Sequence, residues 1–145
     1  MTGVQTCALP ISATGMEEFR RFANDIVVEI VAISAVKEPE RRVRPITKRA
    51  INAAMAMLEQ WGQFIPLAVG DDGTIIAGYE FLLAARELGW KIIKVVRLSN
   101  LSREHARVLS IALARLPELS KWDEEVLRLE FIDLLSVDLG FEVAF

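Results

Sequence analysis

The sequence has one cysteine, Cys7, and one histidine, His105. A single thiol cannot build a disulfide framework, which excludes the small disulfide-stapled folds and fits a reducing cytoplasm. His105 has no partner at metal-ligand spacing, so no metal site is expected, and it is read as exposed on its helix. Long apolar runs are also missing. Although 52% of residues are hydrophobic, no run approaches the roughly 18 residues that span a bilayer. Charge of one sign is lacking overall, with a net of −3. Its distribution says more: residues 37–49 carry Lys37, Arg41, Arg42, Arg44, Lys48 and Arg49 against Glu38 and Glu40, a local excess of four positives. The chain is acidic from Leu101 onward. A basic loop of this kind either attracts phosphate or keeps a solvated surface soluble.

Residues 1–12 read M-T-G-V-Q-T-C-A-L-P-I-S. Residues 2–11 resemble the conceptual translation of a sequencing-adapter oligonucleotide. The stretch lacks a basic start and a sustained apolar core, so it does not read as a signal peptide. Residues 1–15 are set aside, with Met16 as a candidate native start, and the domain is expected over residues 16–145. About 130 residues suffice for one domain with a real core.

The stretch from residue 64 to residue 98 organises the rest. A short apolar run, 65–69, meets Gly70-Asp71-Asp72-Gly73, and a second run, 74–77, stops at Gly78. Asp-Gly between two strand-like runs is a strong hairpin signal. After Gly78 come the helix formers Leu82, Leu83, Arg86, Glu87 and Leu88, and Gly89 stands where a helix C-terminus favours positive φ. Residues 92–96 form the next strand. The predicted unit is hairpin, sharp turn at Gly78, helix, strand. Backbone N–H groups at such a strand-to-helix turn can hold an anion.

Before this unit, residues 26–33 are rich in Val and Ile and read as the first strand. Pro39 and Pro45 keep the basic loop out of helix. Thr47 is placed to cap a helix whose apolar face is Ile51, Ala54, Met55, Leu58 and Trp61, ended by Gly62. Trp61 is read as core rather than as a stacking platform for a base. After the unit, Ser102 is the expected cap of a helix with Val108, Leu109, Ile111, Ala112 and Leu116 inward, stopped by Pro117. Residues 120–123 fit a capping box for a last helix running to about Ser136. Two consecutive helices suggest helix-turn-helix, but the acidic second helix would repel DNA phosphates.

I-I-A-G, an alanine-rich helix and L-G together resemble the N-terminal domain of the ParB/sulfiredoxin superfamily. In particular they resemble the version found in front of DNA methyltransferases of phages and mobile elements. W-G-Q at 61–63, V-V-R-L-S at 95–99 and R-L-P-E-L-S-K-W-D at 115–123 extend the resemblance, which runs from about Ile26 to the end. It implies an α+β (α/β) fold: a small mixed sheet with a hairpin, the Gly78 turn and C-terminal helices. It also implies cytoplasmic localisation, DNA as a partner (direct or through a fused or associated methyltransferase), CTP or ATP as nucleotide, and a homodimer. Sulfiredoxin chemistry needs a cysteine in the active-site turn, and none stands there.

Departures from the family pattern bear on the chemistry. The turn reads G-E-R-R in ParB relatives and G-H-G-R in many methyltransferase-linked ones, and its arginine can grip a phosphate in a bidentate manner. Here the residues are Gly78-Tyr79-Glu80-Phe81. The methyltransferase-linked I-A-D-N-R appears as Ile111-Ala112-Leu113-Ala114-Arg115, with only Arg115 polar. The resemblance therefore implies Gly78, Tyr79, Glu80, Arg44 and Arg115 as nucleotide or phosphate candidates in an eroded site. Arg41, Arg42, Arg44, Lys48 and Arg49 are the nucleic-acid candidates. No catalytic residue is assigned, and no metal. The expected role is an accessory module that positions DNA or a partner and lacks catalytic competence of its own. The alternatives are a nucleotide-dependent switch or nuclease, and a protein-interaction module. Neither D-P-P-Y nor a methyl-donor glycine loop occurs, so the chain is expected to be a fragment of a longer protein.

Overall fold

The structure, a computed structural model, describes residues 26–138 and 140. The readings of residues 1–15 lie outside these. Strand β1 is Val28–Ala32, followed by a short 3-10 turn, Ile33–Ala35. Helix α1 is Lys48–Trp61, the hairpin strands are β2, Leu67–Val69, and β3, Ile75–Ala77, and helix α2 is Tyr79–Glu87. Strand β4, Ile92–Arg97, precedes helix α3, Arg103–Arg115, a 3-10 turn at Leu116–Leu119 and helix α4, Glu124–Leu135. The four strands form one mixed sheet in the order β1-β4-β2-β3. β1 pairs with β4 antiparallel, β4 with β2 parallel, and β2 with β3 antiparallel. This is the α+β arrangement expected from the sequence, with each strand shorter than or within a residue of its predicted span.

Local chemistry explains the boundaries. The Thr47 hydroxyl accepts from the Ala50 N–H at 3.1 Å and starts α1, which ends at Gly62 with φ of 69°. Ser102 starts α3 in the same way, accepting from the His105 N–H at 3.1 Å. For α4 the cap is Asp123, accepting from the Val126 N–H at 3.0 Å. The box predicted to begin at Ser120 is thus displaced by three residues, because Pro117 and the 3-10 turn occupy the chain before it. In the hairpin turn Asp72 accepts from the Thr74 N–H at 3.0 Å and from its hydroxyl at 2.9 Å. Such an Asx-type contact is what makes aspartate a turn residue.

One face of the sheet carries α1 and α2. Leu67, Leu82 and Val95 are fully buried there, joined by Leu58, Val69, Ile75 and Ile93. Burying such side chains stabilises by about 1.5–3 kcal/mol each before entropy is counted. β2 is too short to pair with all of β4, and the Gln63 side chain completes the ladder. Its amide accepts from the Lys94 N–H at 2.7 Å and donates to the Lys94 carbonyl at 2.9 Å.

The other face is covered only in part, by α3 packed along β3. Two expectations fail here. Val108, Ile111, Ala112 and Leu116 are exposed rather than inward, with Leu109 half-buried. α3 meets only the edge of a small sheet, so its apolar positions exceed the surface available to cover them. Trp61 is likewise 48% exposed, not core. It is the last residue of α1.

Candidate functional site

The site is built at the corner where β3 turns into α2. Gly78 takes φ 90° and ψ 25°, a left-handed conformation that reverses the chain into the helix. The space around it is equally restrictive. A Cβ at Gly78 would lie 2.7 Å from Cδ2 of the fully buried Leu67. The predicted corner is therefore present, and its glycine is held by backbone angle and by contact.

The three residues after Gly78 diverge in fate. Tyr79 is half-buried and Phe81 packs against the core, so an apolar group is consolidated where the resemblance implied a phosphate-gripping arginine. Glu80 is exposed in the first turn of α2, where a carboxylate is favoured by the helix dipole. The Tyr79 hydroxyl is buried with no acceptor at full hydrogen-bonding geometry. Burial and the neighbouring Glu38 carboxylate push it up to about 12.

The basic loop folds onto this corner. Its root is tied to the sheet: the Lys37 N–H donates to the Gly73 carbonyl, and the Ile75 N–H donates to the Lys37 carbonyl, both at 2.9 Å. Beyond the root, Arg42 lies over the Tyr79 ring, 5.1 Å from its centroid, in cation–π geometry. Arg42 donates to one oxygen of Glu38 at 2.7 Å, and Arg86 of α2 donates to the other at 2.7 Å. Arg86 is also fixed by the Val36 carbonyl at 3.2 Å. The Tyr79 hydroxyl, Arg42 and Arg86 hold the Glu38 carboxyl down to about 2.

A second clasp of the same kind closes the far end of the loop. Arg44 pairs with Glu118 at 3.2 Å, and Arg115 holds the other Glu118 oxygen at 2.5 Å. These two arginines, first Arg115 and then Arg44, keep Glu118 below the usual carboxylate range. Lys48 pairs with Glu87 at 2.8 Å, and Glu40 accepts from Arg103. The structure thus brings Arg44 and Arg115 together around one carboxylate. Among the described residues no hydrogen bond or ion pair joins either to Gly78, Tyr79 or Glu80. Arg42, Arg44 and Lys48 are engaged in ion pairs, whereas Arg41 and Arg49 have no ion-pair partner among the described residues.

Sequence reasoning singled out Gly78 and Tyr79 but missed Glu38, Arg86 and Glu118. Glu38 was read only as a charge offsetting its neighbours, and Arg86 as a helix former. Their roles depend on contacts 48 residues apart in sequence, which local spacing does not encode. The groove of about 300 Å³ lined by Ile30, Gln63, Trp90, Ile92 and Lys94 lies at the β1–β4 side of the sheet. The corner follows β3, at the opposite edge.

The architecture is that of the ParB/sulfiredoxin-like fold. The described domain is similar to a pNOB8-like ParB N-domain, with TM-score 0.53 and 22% identity over 63% of this chain and 36% of that one. It is also similar to the C-terminally truncated chromosome-partitioning protein ParB from Caulobacter crescentus, solved with CTP-γ-S. There the TM-score is 0.54 and the identity 18%, over 61% of this chain and 52% of that one. The match thus spans about half or less of each of these relatives. No family model and no curated protein matches the chain. Among the described residues no helix is long and apolar enough to cross a membrane.

Proposed function

We propose that the chain is a ParB-like N-terminal domain serving as an accessory module of a DNA-modification or DNA-partition protein. It positions DNA or a fused or associated partner, such as a methyltransferase, and its nucleotide-gripping set is eroded. The observation that carries this reading is the state of the cations. None follows Gly78 at positions 79–81, and Arg42, Arg44, Arg86 and Arg115 are all spent on Glu38 and Glu118. Arg41 and Arg49 are left to meet phosphate backbone, and Leu116, Leu119 and Trp122 offer an exposed apolar surface to a partner. The test is retention of the chain on duplex DNA as salt is raised. Weak retention that falls steeply with salt and disappears in Arg41→Ala/Arg49→Ala is expected. Retention unchanged by salt and by both substitutions would remove the DNA arm of the proposal.

A nucleotide-dependent switch is the second reading. It is favoured by the likeness to a ParB solved with CTP-γ-S and by the position of the loop against Tyr79. It requires the two glutamate clasps to open, and CTP binding separates it from the first.

A further inference from the structure

Arg42 and Arg86 come from different parts of the chain and converge on a single carboxylate, each on its own oxygen at 2.7 Å. Two guanidiniums on one small anion is the arrangement that recognises phosphate oxygens. Arg86 is further fixed by the Val36 carbonyl and stands seven residues after Tyr79, two turns along the same stripe of α2. A third donor is present: the buried Tyr79 hydroxyl, which finds no acceptor at full geometry. Glu38 thus sits among three converging donors: two guanidiniums, each on one of its oxygens, and the Tyr79 hydroxyl beside it, which lacks full hydrogen-bonding geometry to any acceptor. A phosphate group, with more oxygens and more charge than a carboxylate, suits the same donor set.

We propose that Glu38 is a built-in anionic ligand. Its carboxylate fills a three-donor site, formed by Arg42, Arg86 and Tyr79, whose chemistry suits the phosphate group of a free phosphate compound. In this state the domain holds its own substitute for that phosphate, and an incoming one binds only by displacing Glu38. This rests on the reading of the corner as an eroded phosphate site, and it specifies what closes it.

The test is calorimetric titration of inorganic pyrophosphate and of CTP into the wild-type chain, Glu38→Ala and Glu38→Gln, each checked for fold by circular dichroism. Glu125→Ala is the charge control, since Glu125 pairs with Arg128 on α4 and, among the described residues, with no other cation. Both Glu38 variants are expected to bind pyrophosphate at least about tenfold more tightly than wild type. The gain should vanish when Arg86→Ala is added, and Glu125→Ala should show none. Equal gains for pyrophosphate and CTP mark a phosphate site, and a gain for CTP alone would assign the contact to the nucleoside and overturn the proposal. Folded Glu38 variants no tighter than wild type, or an equal gain in Glu125→Ala, would overturn it too. Loss of fold in both Glu38 variants would make Glu38 a structural staple, with the same result. None of these outcomes bears on the DNA-retention test, so the two readings fail independently.

Discussion

Gly78 packs directly against Leu67: a Cβ at Gly78 would lie 2.7 Å from Leu67 Cδ2, and Leu67 is fully buried. Gly78→Ala adds that clash to the strain of an L-residue at φ 90°. Left-handed strain costs about 1–2 kcal/mol, and overpacking about 1–3 kcal/mol. A destabilisation of about 2–4 kcal/mol is expected in urea unfolding. A loss within about 0.5 kcal/mol would show that the corner relaxes and that its glycine is dispensable. The substitution is consequently a probe of the fold and a poor probe of ligand binding.

Gln63 stands in for a missing strand residue by pairing both backbone groups of Lys94. Gln63→Ala leaves that donor and acceptor to water, at a cost of about 1–2 kcal/mol for two modest hydrogen bonds. Faster amide exchange at Lys94 should accompany the loss. Unchanged exchange there would mean that the sheet edge is closed by something other than this side chain.

Glu38 supplies a pH dependence with a definite sign. Its carboxyl is held at about 2 in the folded chain, against an ordinary value of 4.5, first by the Tyr79 hydroxyl and then by Arg42 and Arg86. The unfolded chain therefore binds the proton more readily. The stabilisation is complete above pH 4.5 and is lost as pH falls toward 2. Asp72, Glu118 and Glu125 are also lowered and act in the same direction. The Glu38 share is isolated by comparison: Glu38→Gln should flatten the acid limb of the stability curve, and Tyr79→Phe should move the Glu38 titration upward in carboxyl-carbon NMR. An acid limb identical in wild type and Glu38→Gln would rule out the clasp as a stabilising contact.

Much of the fold was legible because its signals are local. Asp72 and Gly73 announce the hairpin, Thr47 and Ser102 act through bonds to residues three positions on, and Gly62 and Gly89 end helices with positive φ. Helix periodicity failed where burial depends on how much surface a partner offers. The α3 stripe through Val108, Ile111 and Leu116 has the right spacing yet finds only the edge of the sheet. The same distinction holds at the site. Gly78 could be read from its neighbours, whereas Glu38 with Arg86, and Arg44 with Glu118, are pairings across the fold. A count of charges in residues 37–49 registers an excess of positives but not that body-borne Glu118 and Glu87 neutralise part of it.

Equilibrium titration of CTP and ATP into the wild-type chain tests most directly whether the corner persists as architecture with its gripping cations otherwise engaged. No saturable binding is expected below about millimolar concentration, equivalent to less than about 4 kcal/mol of affinity. Micromolar binding by wild type that is lost in Arg42→Ala or Arg86→Ala would contradict the account and establish a working nucleotide site.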